Sequence, residues 1–265
     1  MHIHHHAPGS FCWFELSTTD RTQAKAFYAS LFGWQSDDQP VGPGDVYTIF
    51  KVEGRDAAAA CTLRPDRRAQ GVPPSWLLYI SVENADASAK RTTDAGGKVL
   101  AAPFDVMESG RMAIIADPTG ATFAIWEPRN HHGTGIVQAN GTGVWADLNT
   151  PDPIRAGRFY HALFDWKIVA GKTMAPADPN DYGHIVNGEA FIGGVPPAAH
   201  QPKGTPPHWL IYFAVPDCDA IAARATSAGG AILMPPMTAG EVRKFAVLAD
   251  PQGAVFAVLT GEYDD

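Results

Sequence analysis

A tandem duplication constrains this chain of 265 residues more than any other feature of its sequence. GSFCWFEL at 9–16 aligns with GTGVWADL at 141–148, and FYASLFGW at 27–34 aligns with FYHALFDW at 159–166 at the same offset. PPSWLLYI at 73–80 matches PPHWLIYF at 206–213, and ADPTGATFAIW at 116–126 matches ADPQGAVFAVL at 249–259. A repeat sustained over this length predicts two copies of one fold. We divide the chain into residues 7–128, a polar linker at 129–140, and residues 141–262.

Net charge and composition limit the kinds of molecule that this chain is expected to bind and the compartment in which it is expected to lie. The net charge of −8 disfavours nucleic acid and anionic membranes as partners, and no apolar run is long enough to span a bilayer. The three cysteines, Cys12, Cys61 and Cys218, are far apart, which is typical of a reducing compartment. We therefore expect a soluble, cytoplasmic chain without nucleic-acid or membrane partners. The HIHHH stretch at 2–6 is interpreted as a tag remnant or a frayed tail.

Each copy alternates strands and helices. In the first copy, period-2 patterns predict strands at 11–17, 46–52, 57–63 and 76–82. Helices are predicted from Asp20 to about Leu31 and over 86–95, and a closing hairpin is predicted around the turn at 117–120. The pattern is βαββ, then βα and a hairpin, which indicates an α+β fold with helices on one face of each sheet.

The repeated phrases FYASLFGW and DPTGATF resemble the vicinal oxygen chelate superfamily, once per copy. This superfamily includes glyoxalase I, extradiol dioxygenases, and bleomycin and fosfomycin resistance proteins. The resemblance implies tandem paired βαβββ modules that form U-shaped, mixed or antiparallel sheets with helices on the outer face. It also implies a small-molecule ligand or substrate, in an enzyme or in a passive binding protein.

Metal-binding members of the superfamily carry ligands on the first strand, on the strand after Pro-Pro and near the end of the last strand. The resemblance places these positions at Trp13, about Leu77 and Ala124 in the first copy. Their counterparts are Trp145, about Leu210 and Ala257. None of these side chains can ligate a divalent ion, so no metal ligand is assigned. An atypical divalent metal held by Asp147, His208 and His184 stays an alternative.

The same faces predict two aromatic clefts for a planar or apolar organic molecule. The ligand-binding candidates of the first cleft are Trp13, Leu77, Tyr79, Thr122, Ala124 and Trp126. Those of the second are Trp145, Asn149, His208, Leu210, Tyr212 and Ala257.

Three charged side chains are candidates for chemistry. Glu15 and Asp147 share a strand face with Trp13 and Trp145, where desolvation would make a carboxylate a general base near neutral pH. Arg111 is placed at the cleft rim as an electrostatic substitute for a metal. A matching charge pair, Glu108 with Arg111 and Glu241 with Lys244, occurs in both copies.

Three functional interpretations remain open at this stage. The first is a small-molecule binding protein of the resistance type, which needs only the clefts. The second is a lyase, isomerase or hydroxylase-type enzyme that uses Glu15 or Asp147 as its base. The third is a structural or regulatory partner protein. The duplication fits either a monomer or a homodimer.

Overall fold

A computed structural model describes residues 1–42, 45–201, 204–239 and 243–260. The first copy forms one eight-stranded sheet in the order β2-β3-β4-β1-β5-β8-β7-β6. Its elements are β1 (Phe11–Thr18), α1 (Arg21–Phe32), β2 (Gln35–Gly42), β3 (Asp45–Val52), β4 (Arg55–Thr62), α2 (Pro65–Ala69), β5 (Ser75–Ser81), α3 (Ala85–Asp94), β6 (Lys98–Val106), β7 (Gly110–Ala116) and β8 (Thr122–Pro128).

The second copy repeats this arrangement in the order β10-β11-β12-β9-β13-β16-β15-β14. Its elements are β9 (Gly143–Asn149), α4 (Pro153–Phe164), β10 (Lys167–Val169), β11 (Gly183–Asn187), β12 (Ala190–Val195), β13 (His208–Ala214), α5 (Cys218–Ser227), β14 (Ala231–Ala239), β15 (Arg243–Ala249) and β16 (Val255–Thr260). Each copy is therefore a pair of βαβββ modules, and the predicted α+β class is confirmed.

The strands that the residue pattern missed are β2 and β6. Both lie at the ends of the first sheet. β2 is polar and almost wholly exposed, while β6 contains Pro103 and shifts register twice against β7. Edge strands bury neither face fully and accommodate proline, so their sequences lack the period-2 alternation of a half-buried strand.

Helices α1 and α4 begin at side-chain caps and bury one face. Asp20 Oδ1 accepts a hydrogen bond from the Gln23 N–H at 2.9 Å, and Asp152 Oδ1 accepts one from the Arg155 N–H at 2.9 Å. These caps satisfy N–H groups that the first turn leaves unpaired. No helix in the described parts of the chain combines the length and the hydropathy needed to cross a membrane.

The repeated phrases join the two copies. Tyr28 of α1 donates its hydroxyl to Asp250 Oδ2 in the second copy at 3.1 Å. Tyr160 of α4 donates to Asp117 Oδ2 in the first copy at the same distance. The turn of each DPxG phrase thus accepts a hydrogen bond from the FY phrase of the other copy.

Tryptophans at the ends of these helices make a second reciprocal pair of contacts. Trp34 Nε1 donates to the Gly141 carbonyl at 2.8 Å, and Trp166 Nε1 donates to the Gly9 carbonyl at 3.0 Å. Both indoles are buried in a core that runs continuously through the two copies. The division at 7–128, 129–140 and 141–262 stays a prediction, and its last two residues lie outside the described part of the chain.

The N-terminal segment is ordered, which corrects the interpretation as a frayed tail. The Ile3 N–H donates to the Gly135 carbonyl at 3.2 Å, and the Met1 ammonium donates to the Val137 carbonyl at 2.8 Å. His6 is buried, with Nε2 3.0 Å from the Thr134 carbonyl oxygen. The segment therefore packs against residues 134–137 as part of the fold.

Candidate functional site

Each sheet has a helix-facing side and a concave side. On β1, Phe14 and Leu16 belong to the shared core, so alternation directs Trp13 and Glu15 to the concave side. The first concave cluster contains Trp13, Ala59, Tyr79, Met112, Ala124 and Trp126. The second contains Leu210, Tyr212, Ala257 and Leu259, with Trp145, Phe245 and Val247 packed against them.

Strand register shows how the predicted cleft residues lie relative to one another. Trp13 lies across from Tyr79, and Tyr79 lies across from Ala124. Leu77 lies across from Glu15, two residues further along each strand. Tyr79 is therefore directly opposite Trp13, and the assignment of Leu77 to the second ligand position stays a prediction.

The second copy repeats this register. Trp145 lies across from Tyr212, and Tyr212 lies across from Ala257, while Leu210 is opposite Asp147. An indole, a phenol and a methyl group in line do not supply the imidazole or carboxylate donors that a divalent ion needs. We therefore derive no reaction step through a metal.

A hydrogen-bond network surrounds the carboxyl group of the first copy. Trp13 Nε1 donates to the Tyr47 hydroxyl at 2.9 Å, and that hydroxyl donates to Glu15 Oε2 at 2.8 Å. Cys61 Sγ is 3.7 Å from Glu15 Oε1. Burial raises the pKa of Glu15, and hydrogen bonds from Tyr47, Tyr79 and Cys61 oppose that rise.

The second copy also combines an indole, two phenols and a carboxyl group. The Tyr182 hydroxyl donates to Asp147 Oδ1 at 2.6 Å, and the Tyr212 hydroxyl donates to Oδ2 at 2.8 Å. Trp145 Nε1 donates to Asp147 Oδ1 at 3.0 Å and to the Tyr182 hydroxyl at 2.9 Å. Burial raises the pKa of Asp147, with these three donors opposing it. We name these sets the first and second Trp–Tyr–acid networks.

A glycine makes room for the second network. Gly194 of β12 lies directly across from Asp147 on β9, and a Cβ at this position would overlap the Tyr182 hydroxyl. The corresponding residue of the first copy is Ala59, which lies across from Glu15. The shorter side chain, Asp147, thus lies opposite a glycine, and the longer one, Glu15, lies opposite an alanine.

Sequence reasoning missed Tyr47 and Tyr182. Tyr47 lies two residues before Ile49 of β3, which is in the same cross-strand row as Glu15. Tyr182 lies two residues before His184 of β11, which is in the row of Asp147. The recurrence of a tyrosine at equivalent places in both copies was an available signal. This recurrence is hard to see in the sequence, because Tyr47 lies within β3 whereas Tyr182 lies in the loop before β11.

The first concave face is covered at its Trp13 end. The His131 ring stands edge-on to Trp13 with ring centroids 4.6 Å apart, and Trp126 Nε1 donates to the His131 carbonyl at 2.9 Å. The Thr134 N–H donates to the Cys12 carbonyl at 2.8 Å. Trp13 is only 4% exposed and Trp126 only 6%. The predicted linker therefore closes this end.

Among the residues that the structure describes, none covers the second concave face at the same place. Trp145, Phe245 and Val247 are half-buried. Tyr182 is 38% exposed and Met237, which lies across from Phe245, is 48% exposed. An apolar floor with exposed aromatic and thioether walls is the kind of surface that holds a small organic molecule.

Arg111 does not lie at the cleft rim. Met112 faces the concave cluster, so Arg111 projects to the helix-facing side, where it pairs with Asp86 at 2.7 Å and with Asp105 at 3.0 Å. Its counterpart Lys244 pairs with Asp219 at the start of α5. The placement is corrected for both cations, while Glu241 lies outside the described residues.

The remaining predicted residues lie toward the ends of the strands. Thr122 is exposed at the start of β8, and Asn149 is half-buried at the end of β9. His208 lies across from Asn149, and its Nδ1 is 2.9 Å from the Pro206 carbonyl. Within residues 1–42, 45–201, 204–239 and 243–260, no group of three or more His, Cys, Asp or Glu side chains is placed to hold a metal.

Comparisons with known proteins agree with this architecture. The family model described as Glyoxalase/Bleomycin resistance protein/Dioxygenase superfamily matches residues 3–125 and 142–258. "Putative glyoxylase CFP32" of Mycobacterium tuberculosis (strain CDC 1551 / Oshkosh) is 42% identical over 250 residues, covering 93% of both chains. "Anthracycline biosynthesis protein DnrV" of Streptomyces peucetius is 35% identical over 268 residues, covering 96% of this chain and 94% of its own.

Solved structures share the fold at low identity. The Mn(II)-bound glyoxalase from Novosphingobium aromaticivorans superimposes with a TM-score of 0.65 at 15% identity, covering 96% of this chain and 83% of that one. The 2,3-dioxygenase LapB from Pseudomonas sp. KL28 gives 0.64 at 11% identity, covering 96% and 94%. At these identities the likeness concerns the fold alone.

Proposed function

Because the chain belongs to the glyoxalase/bleomycin resistance protein/dioxygenase superfamily, whose fold carries both enzymes and binding proteins, we propose that it binds a small, planar, largely apolar organic molecule. We place the site on the concave face of the second sheet. The observation that carries the proposal is the second Trp–Tyr–acid network beneath an open apolar surface.

The network acts as a rigid floor. Asp147 accepts three hydrogen bonds, and the Tyr182 hydroxyl both donates to it and accepts from Trp145. Since these polar atoms satisfy one another, the rings are locked in place and present their apolar surfaces to the cleft. A planar ligand then gains affinity from buried area and ring stacking on a surface that is already ordered.

The covered first face supports binding in the second copy alone. A ligand at the Trp13 position would have to displace the His131 ring and the hydrogen bond from Trp126. No such contact stands over Trp145 among the described residues, where the neighbouring ring is that of His184, 6.2 Å away between centroids. One ligand per chain follows.

Replacing Trp145 by phenylalanine tests the site. We expect W145F to weaken binding by about tenfold, because it removes indole surface and the hydrogen bonds that Trp145 donates to Asp147 and to the Tyr182 hydroxyl. The probe is doxorubicin, an anthracycline with a planar ring system, chosen because one relative is named for anthracycline biosynthesis. Equilibrium titration by fluorescence measures the change.

The matched control is W13F in the covered first copy, which should leave the affinity within about twofold. Circular dichroism of both variants verifies folding. Equal losses in W145F and W13F, or no binding by the parent protein, would overturn the proposal.

A second candidate function rests on Glu15. This carboxyl group is only half-buried and lies beside Tyr47 and Leu77, which are also partly exposed. Its raised pKa suits a general base that removes a proton from carbon beside a carbonyl group. The proton passes from carbon to a Glu15 oxygen and leaves an enolate. The protonated Glu15 exchanges with solvent and then returns a solvent-derived proton to the same carbon, which restores the ketone and the carboxylate.

We expect exchange of the CH₂ protons of 2-indanone in D₂O to show this activity by NMR. Only ionised Glu15 can accept the proton, so the rate should rise with pH through a midpoint above the ordinary glutamate range near about 4.3. E15Q should abolish exchange, and D147N should leave it intact. A rate that E15Q does not change would remove Glu15 from consideration.

A further inference from the structure

A cavity of about 370 Å³ lies between α4 and residues 177–183 of the second copy. Its lining is largely apolar and includes Ile154, Gly157, Trp166, Ile168, Gly183 and Val195. Trp166 and Val195 belong to the shared core, which places the cavity on the helix-facing side of the sheet, apart from the concave face. Apolar cavities of this size are those that hold small organic ligands.

The first copy fills the corresponding space with hydrogen-bonded side chains. Lys25 Nζ of α1 donates to Asp38 Oδ2 of β2 at 2.8 Å, and Thr48 Oγ1 of β3 donates to Asp38 Oδ1 at 2.6 Å. Strand β2 runs for eight residues past this bridge, whereas β10 ends after three, at Val169. The bridge therefore occupies the space between α1 and the edge of the first sheet.

Glycine stands at two of the positions that form this bridge. Gly157 corresponds to Lys25 at the offset of the repeat. Strand register makes Gly183 the counterpart of Thr48. A Cβ at position 157 would lie 3.0 Å from Ile168 Cδ1, and one at position 183 would overlap Ile168 Cγ2. The missing side chains thus leave the cavity open above an apolar floor.

Two cations at the cavity have no carboxylate partner among the described residues. They are Arg158 on α4 and Lys167 at the start of β10, and both side chains are exposed where they line the cavity. The third basic group, His161, is directed to the end of its own helix, with Nδ1 3.2 Å from the Trp166 carbonyl oxygen. Arg158 and Lys167 are therefore available to a bound anion.

Two carboxylates line the same cavity from the segment that leads into β11. Asp178 Oδ1 accepts hydrogen bonds from the Asn180 N–H at 2.8 Å and from Asn180 Nδ2 at 3.0 Å, which fixes this carboxylate in place. Asp181 is exposed, and no cation pairs with it in the parts of the chain that the structure describes. The cavity thus presents both signs of charge, from separate segments that do not neutralise each other.

We propose that this cavity is a second ligand site, specific for a small zwitterion with a branched apolar chain, of the class of the aliphatic amino acids. The carboxylate of the ligand pairs with Arg158 and Lys167, and its ammonium group pairs with Asp181. Its chain lies on Ile154 and Ile168. Guanidinium groups favour carboxylates through paired N–H donors, and burial of the apolar chain adds affinity. A ligand of single charge meets one attractive and one repulsive segment, which selects against it.

Three probes of nearly equal shape test this specificity on the full chain. L-Leucine carries both charges, 3-methylbutylamine lacks the carboxylate, and 4-methylpentanoate lacks the ammonium group. Calorimetric titration at pH 7 should show leucine binding at least about fivefold more tightly than either. R158Q should weaken leucine and methylpentanoate about fivefold and spare methylbutylamine, while D181N should weaken leucine and methylbutylamine and spare methylpentanoate.

The matched control is R155Q, because Arg155 is exposed on the same helix and is not part of the lining. It should leave all three affinities within about twofold. G157L fills the cavity and should abolish leucine binding, and because leucine favours a helix more than glycine does, circular dichroism should show an intact fold.

W145F separates this site from the concave face, and it should leave leucine binding intact. Loss of leucine binding in W145F would assign leucine to the concave face instead. Failure of leucine to bind, equal binding of the three probes, equal losses in R158Q and R155Q, or leucine binding that persists in G157L would overturn the inference. Because the cavity is apart from the concave face, none of these results bears on doxorubicin binding there.

Discussion

Substituting Asp117 by alanine is expected to lower the free energy of unfolding by about 3–5 kcal/mol. Asp117 Oδ1 accepts hydrogen bonds from the N–H groups of residues 119–121 at 2.7 to 3.1 Å. Its Oδ2 accepts the Tyr160 hydroxyl of the other copy, and both residues are buried. Alanine leaves the N–H groups of Thr119 and Ala121 and the Tyr160 hydroxyl without this acceptor, whereas the Gly120 N–H keeps the carbonyl of residue 117.

Urea denaturation followed by circular dichroism and tryptophan fluorescence measures this loss. Y160F is the matched variant, because it removes one hydroxyl and keeps the ring, and it should cost about 1–2 kcal/mol. D250A should repeat the larger loss at the reciprocal contact with Tyr28. A loss below about 1 kcal/mol in D117A, or separate unfolding of the two copies, would contradict the shared core.

The second large effect is expected for G194A. Its methyl group would overlap the Tyr182 hydroxyl and lie 2.7 Å from Asp147 Oδ1. Tyr182 must then leave the carboxyl group, and Asp147 stays buried with one donor fewer. Overpacking together with the lost bond should cost about 3 kcal/mol of stability and weaken doxorubicin binding by about a hundredfold.

The first copy suggests a second substitution that should restore the G194A variant. Its network combines alanine at position 59 with a glutamate, one methylene longer, at position 15. D147E/G194A places this combination in the second copy and should recover at least about half of the lost stability and most of the binding. Binding in G194A equal to that of the parent, or a double variant that binds more weakly than G194A, would show that Gly194 has another role.

Patterns within each strand predicted the fold well. The repeat, the strands nearest the centre of each sheet and the closing hairpin are largely apolar, because these elements are buried in the shared core and the concave clusters. Strand alternation predicted that Glu15 and Asp147 share a face with Trp13 and Trp145. Edge strands β2 and β6 were not predicted, because exposed strands need no regular pattern of apolar residues.

Contacts between distant segments could not be predicted in this way. Tyr47 reaches Glu15 from β3, and Tyr182 reaches Asp147 from the loop before β11. The space at Gly194 is visible only in three dimensions. The cover over Trp13 depends on how residues 129–135 pack across the sheet. The side taken by Arg111 was misjudged because its charge suggested a rim position, although Met112 beside it faces the cleft.

The stoichiometry of ligand binding tests the central claim most directly, namely that the second concave face binds a planar organic molecule while the first is closed by its own linker. Calorimetric titration of the full chain with doxorubicin should saturate at one molecule per chain, and W145F should reduce the affinity of that single site. Saturation at two equivalent molecules per chain, or no saturable binding, would contradict the account.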